Sequence, residues 1–198
     1  MLKESFQRLR KGYESLPSPV RTFAWRAFLL FIFWKGLYLF LWQGPRTLDG
    51  PLTELVGRQS TRFLGLLRPS DTFSYKEVRS TYILDGILTQ GQQTYVMKGD
   101  RTIVRIADNC NGLELLVLYL GFILCMPASL GRKLMFGLLG LIVIHFVNVL
   151  RCSGLGLMVI SMKEYFDFAH HYLFKIVIYA TIFLLWVWFS KSLQLSKQ

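Results

Sequence analysis

The amino-acid sequence predicts an all-α polytopic membrane protein: a four-transmembrane-helix bundle with an extracytoplasmic segment that contains a small β-hairpin. Of the 198 residues, 53% are hydrophobic, and the mean hydropathy is +0.38. Four apolar stretches approach the roughly 20 residues that a helix needs to cross a bilayer. They lie at about 22–42, 112–130, 134–154 and 172–190. A soluble domain of this size does not carry four such stretches.

The first stretch, 22–42, is predicted to be an integral transmembrane helix. It is longer than the apolar region of a signal peptide, and Trp42 stands where a small-residue cleavage site would lie. Trp25 and Trp42 fall at the depths of the two membrane interfaces, where Trp is enriched. Lys35 lies inside the stretch, and we expect its side chain to extend to the interface.

Basic residues beside the apolar stretches account for the net charge of +11, so we predict membrane lipids and no nucleic acid as partners. Short basic segments stay in the cytoplasm. The tail 1–21, the turn at Arg132 and the tail 191–198 are such segments, which predicts cytoplasmic termini. The segment 43–111 then lies outside. It is basic too, but long loops cross the membrane largely regardless of their charge.

The extracytoplasmic segment is predicted to contain one amphipathic helix and one hairpin. Apolar residues at helical spacing over 52–67 favour a helix that lies on the membrane or on the bundle. Two runs rich in β-branched residues, 93–97 and 101–106, flank a turn at Gly99 and predict a β-hairpin. This hairpin leads directly to Asp108 and the residues that follow it.

Three kinds of reactive side chain are predicted to meet at the outer face of the membrane. Counted from the turn at Gly131, Cys110 comes about 21 residues before and Arg151 about 20 residues after. At 1.5 Å per residue each lies about 30 Å from the turn, which is the thickness of one bilayer core. His170 and His171 open the last apolar stretch at the same face.

These residue types are suited to acyl transfer. A thiol is nucleophilic as the thiolate, which a helix N-terminus favours, and Asp108 or Asn109 is a candidate cap for that helix. A histidine accepts the thiol proton and returns it to a leaving group. An arginine stabilises the oxyanion that forms when a carbonyl is attacked, or holds a substrate carboxylate.

Other polar residues of the apolar stretches leave several interpretations open. Asn148 lies between His145 and Arg151 on one helical face that we expect to point into the bundle. Glu114 and Lys175 are expected either to support the site or to form an ion pair. A structural disulfide between Cys110 and Cys152 is the alternative to a free nucleophile. We predict neither a metal nor another cofactor, since no ligand-spacing motif is present.

The sequence resembles the exosortase/archaeosortase family of membrane cysteine transpeptidases. The resemblance rests on Asn109-Cys110-Asn111-Gly112, Asn148-Val149-Leu150-Arg151 and Ala169-His170-His171-Tyr172, and it covers about residues 105–185. Many members of the family have about eight spans, so this four-span chain resembles a compact variant. Its catalytic core is then 112–190.

The resemblance implies a membrane-embedded cysteine transpeptidase or protease of the inner membrane with an extracytoplasmic active site. Its partners would be exported proteins with a C-terminal sorting signal, and the acceptor of the cleaved protein would be a surface amine or a lipid-linked group. Cys110 would be the nucleophile, Arg151 the oxyanion donor and His171 the acid/base, with His170 as the alternative. Asn109, Glu114 and Asn148 are predicted to bind substrate.

Two classes without this chemistry remain as alternatives. A non-catalytic scaffold subunit of an export system would tolerate Cys110→Ala and permit a Cys110–Cys152 disulfide. A transporter subunit would use the polar residues along the helices as a solute path and would depend on Glu114 instead.

Overall fold

The computed structural model describes residues 17–38, 46–84 and 87–195, which form five helices and three strands. The helices are α1 Ser18–Leu37, α2 Asp49–Leu67, α3 Leu113–Cys125, α4 Leu130–Ser161 and α5 Phe174–Leu195. The strands are β1 Phe73–Leu84, β2 Ile87–Lys98 and β3 Arg101–Ile106. Short helical turns, Asp108–Cys110 and Lys163–Leu173, precede α3 and α5; the second of these segments contains 3₁₀, α and π turns.

Among the described residues, two helical stretches are long and apolar enough to cross a membrane: α4, and the stretch Lys163–Leu193 that includes most of α5. The second predicted span, 112–130, is shorter than expected because α3 ends at Cys125 and the backbone is extended at Met126. Its 13 residues rise about 20 Å, less than a bilayer core. The apolar helix α1 carries basic residues along its length. The four-span arrangement therefore stays a prediction.

Close packing joins α3 to α4. The Tyr119 ring is fully buried, and its hydroxyl donates a hydrogen bond to the Phe136 carbonyl oxygen at 2.8 Å. The ring lies against Gly140, where a Cβ atom would come within 1.9 Å of it. Only glycine permits this approach, which holds the middle of α3 beside the first half of α4.

The predicted hairpin is confirmed as β2 and β3, joined at Gly99, which has a φ of 56°. It belongs to a larger antiparallel sheet of order β1-β2-β3, because β1 pairs along the full length of β2. Strand β1 was not predicted from the sequence. Its signal was present, since 73–84 is rich in aromatic and β-branched residues.

The amphipathic helix is also confirmed, as α2, and its buried face connects the sheet to the bundle. Val56 and Leu64 are fully buried in a cluster that includes Ile106 of β3 and Leu155 of α4. On the sheet side, a Cβ atom at Gly57 would come within 2.3 Å of the Thr94 side chain. The helix thus fixes the sheet, and the turn that follows β3, against α4.

Candidate functional site

Cys110 ends the 3₁₀ turn Asp108–Cys110 between β3 and α3. It precedes the helix, which begins at Leu113, so the expected position at the helix N-terminus is wrong. The predicted caps are wrong as well. The N-cap is Gly112, and Asn111 just before it accepts a hydrogen bond from the Leu113 N–H at 2.8 Å through its Oδ1. Gly112 follows with a φ of 90°, a conformation that favours glycine.

A polar network holds Asp108, the first residue of this turn. The Arg46 Nε donates to Asp108 Oδ2 at 2.7 Å, and a second nitrogen of the same guanidinium pairs with Oδ1. The Thr53 hydroxyl donates to Asp108 Oδ1 at 2.9 Å. Arg46 also donates to the Gln92 side chain of β2 at 2.7 Å. Charge-assisted, bidentate pairs of this kind have defined geometry, so Asp108 is held by both α2 and the sheet.

A second set of hydrogen bonds holds Asn111, the residue that follows the turn. Asn111 is buried, and its Nδ2 donates to Asp49 Oδ1 at 2.9 Å and to the Thr53 hydroxyl at 3.2 Å. Asp49 is buried at the first position of α2, and its Oδ2 accepts a hydrogen bond from the Tyr38 hydroxyl at 2.7 Å. Residues on both sides of Cys110 are therefore anchored to α2.

Two residues of α4 contact Cys110 itself. The fully buried Asn148 donates from Nδ2 to the Cys110 carbonyl oxygen at 3.1 Å. One turn further along, the Arg151 Nη2 lies 3.7 Å from the Cys110 sulfur. The Arg151 Nη1 donates to Asn148 Oδ1 at 3.3 Å, which orients the guanidinium. The predicted agreement in depth between Cys110 and Arg151 thus corresponds to direct contact.

A cavity of about 300 Å³ opens beside the sulfur. Its wall is formed by residues 102–106 of β3, by Cys110, and by α4 residues that include Arg151 and Leu155. His170 and Phe166 complete it. The two rings are stacked, with centroids 5.8 Å apart and planes 7° apart, which sets the orientation of the imidazole.

His171 takes a different position from His170. Its side chain is exposed, its Nδ1 lies 2.9 Å from the Asp167 carbonyl oxygen, and it does not line the cavity. The preference for His171 over His170 at the site therefore has no support in the geometry. The π-helical turn Ala169–Leu173 decides which imidazole meets the cavity, and periodicity alone did not indicate this turn.

Several other predicted residues lie away from the cavity. Asn109 and Glu114 are exposed and do not line it. His145 shares a face with Asn148, but its Nε2 lies 2.7 Å from Gln59 Oε1 and so belongs to the contact between α2 and α4. Within the described part of the chain, Glu114 and Lys175 form no salt bridge.

Cys152 is the second thiol of the cavity wall. It is buried, whereas Cys110 is partly exposed, and both are free cysteines. Cys125 is buried far from the site in α3. Cys110 is thus the one partly exposed thiol among the residues that line this cavity, and its sulfur contacts the Arg151 guanidinium.

The residues that support the Cys110 turn from α2, from the sheet and from the segment before α2 were not predicted from the sequence. They are Arg46, Asp49, Thr53 and Gln92. Asp49 and Thr53 lie one turn apart at the start of α2, three residues earlier than the helix predicted over 52–67, and that spacing was the available signal. It was overlooked because only the apolar face of this helix was considered.

The fold and the site define a helical membrane protein in which a thiol, a guanidinium and an imidazole surround one cavity. The chain belongs to the transmembrane exosortase family, whose model matches residues 20–188. No curated protein and no solved structure matches the chain.

Proposed function

We propose that this protein is a membrane cysteine transpeptidase that cleaves the C-terminal sorting signals of exported proteins through a thioacyl intermediate. The observation that carries the proposal is the contact of Arg151 Nη2 with the Cys110 sulfur at 3.7 Å, in a cavity that His170 also lines. Membership of the exosortase family supports the same activity.

In the proposed reaction, the Cys110 sulfur attacks the scissile carbonyl carbon while His170 takes the thiol proton. Arg151 donates hydrogen bonds to the oxygen that becomes negatively charged in the tetrahedral intermediate. Collapse of this intermediate breaks the C–N bond, and His170 returns the proton to the leaving amine. An amine of a surface or lipid-linked acceptor then attacks the thioester and restores the thiol. Attack by water would give simple cleavage.

The supporting residues keep the sulfur in place during both steps. Asn148 holds the carbonyl of Cys110, and Asp108 and Asn111 hold the neighbouring residues. A nucleophile fixed in this way loses little entropy on reaching the reactive geometry. We further propose an inner-membrane location, which is the usual setting of the family. This cavity would lie on the extracytoplasmic side, because the short basic segments are expected to stay in the cytoplasm.

The test compares cells that lack the chain with cells that express the wild type, Cys110→Ala or Cys152→Ala. Mass spectrometry of protein C-termini should find exported proteins that lose a terminal apolar helix and basic tail with the wild type and with Cys152→Ala. These proteins should stay intact with Cys110→Ala. A hydroxylamine-sensitive adduct on Cys110 should mark the thioester. Full function of Cys110→Ala would instead favour a non-catalytic scaffold.

A further inference from the structure

Within the described part of the chain, the outer edge of β3 pairs with no other strand, and it lies beside the Cys110 thiol. The sheet has the order β1-β2-β3, so β3 has a neighbour on one side. Apart from its pairing with β2, no backbone–backbone hydrogen bond among the described residues involves 102–106. An exposed strand edge presents N–H and C=O groups that another extended chain can satisfy.

The cavity lies along this edge and not merely against one face of the strand. Residues 102–106 all line it. Successive side chains of a strand point to opposite faces, so one face would contribute every second residue. The bulge opposite Val96 and Met97 changes this alternation at one place. Five consecutive residues on the wall therefore indicate that the backbone edge itself faces the cavity.

We propose that the substrate peptide binds as an added strand along the outer edge of β3, with its scissile carbonyl at Cys110. This inference rests on the proposed function and specifies how that site recognises its substrate. Main-chain hydrogen bonds to β3 supply affinity, as in other cases of strand addition. Arg151 and His170 lie at the same cavity and act where the added strand ends.

The direction of the added strand can be inferred from the course of the chain after β3. This strand runs toward Cys110 and then into the apolar helix α3. A sorting signal likewise runs from its cleavage motif into a transmembrane helix. Since both chains enter the membrane in the same direction, the substrate pairs in parallel with β3. In such pairing, alternate substrate residues direct their N–H and C=O groups to β3.

A sequence-neutral probe tests the proposal without a known substrate. Acetyl-tetraalanine chloromethyl ketone alkylates a thiol when the sulfur attacks the chloromethyl carbon and chloride leaves. On wild-type protein in lipid nanodiscs, we expect it to alkylate Cys110 at least about 10-fold faster than acetyl-alanine chloromethyl ketone, since each added hydrogen bond contributes to binding. Intact mass and peptide mapping, with Cys110→Ala as control, assign the label to Cys110 and not to Cys152.

Backbone N-methylation of the probe then identifies the binding mode. Methylation at alternate residues should slow alkylation about 5-fold, and methylation at the residues between them should have little effect. No gain from the longer peptide, or equal losses at all positions, would overturn strand addition. Iodoacetamide, which has no peptide chain, measures the intrinsic reactivity of the Cys110 thiol. The C-terminal processing experiment tests the proposed function, and its outcome does not depend on whether the probe binds by strand addition.

Discussion

The Asn148 side chain donates a hydrogen bond to the Cys110 carbonyl oxygen, joining the middle of α4 to the turn that carries the thiol. Replacing this amide by the isosteric carboxylate in Asn148→Asp removes the donor and places an oxygen 3.1 Å from the carbonyl oxygen. We expect a loss of about 1–3 kcal/mol in stability, because a buried acceptor is left unsatisfied. Unfolding of the protein in SDS measures this loss. Asn109→Asp, in the same turn but exposed, is the control and should change stability little.

Arg151→Lys tests whether the guanidinium is needed for its shape as well as its charge. A lysine ammonium cannot contact the Cys110 sulfur and Asn148 from two nitrogens in one plane, as Arg151 does. We expect C-terminal processing to fall about 10²–10³-fold, the usual effect of removing one oxyanion donor. Arg62→Lys on the exposed side of α2 is the matched control. Processing at the wild-type rate in Arg151→Lys would remove Arg151 from the proposed mechanism.

His170→Gln and His171→Gln form a matched pair of neighbouring substitutions. Because His170 lines the cavity and His171 is exposed outside it, we expect His170→Gln to slow processing about 10²–10⁴-fold. His171→Gln should stay within about 3-fold of the wild type, since it removes no group that lines the cavity. Rates of acyl-enzyme formation provide the measurement. If His171→Gln slowed processing more than His170→Gln, His171, which the sequence favoured, would replace His170 as the acid/base of the proposed mechanism.

Asp108→Asn tests the support of the turn from α2. The substitution removes the charge that pairs with Arg46 and weakens the acceptor of the Thr53 hydroxyl. We expect a loss of about 1–3 kcal/mol, typical of hydrogen bonds to charged groups, together with slower alkylation of Cys110. The control is Asp71→Asn, which weakens the more exposed pair with Lys98 at 2.8 Å. Its loss should be below about 1 kcal/mol.

Gly140→Ala tests the close approach of α3 and α4. The added methyl group would lie within 1.9 Å of the buried Tyr119 ring, so the helices must separate. Overpacking of this kind costs about 1–3 kcal/mol, and SDS unfolding is the appropriate measurement. Gly131→Ala, where nothing lies within 4 Å of the added atom, should leave stability unchanged or raise it. Equal stability of the two variants would contradict the helix contact.

Periodicity and spacing predicted the elements that depend on local sequence. The amphipathic α2, the β2–β3 hairpin and the two longest apolar helices all follow from the pattern of apolar residues. Counting residues from the turn at Gly131 also predicted that Cys110 and Arg151 lie at one depth. The end of α3 at Cys125 was not predicted, because hydropathy continues beyond the point where the backbone becomes extended.

The sequence by itself determined the membrane class, the resemblance to exosortases and the set of reactive residues, since these depend on composition and on spacing along single elements. Only the tertiary structure decided which of these residues meet. The π-helical turn at 169–173 brings His170 rather than His171 to the cavity. Contacts between distant segments select Asp49 and Thr53, more than 50 residues from Asn111, as supports of the turn that carries Cys110. Such contacts depend on the packing of α2 between the sheet and α4, which no local pattern encodes.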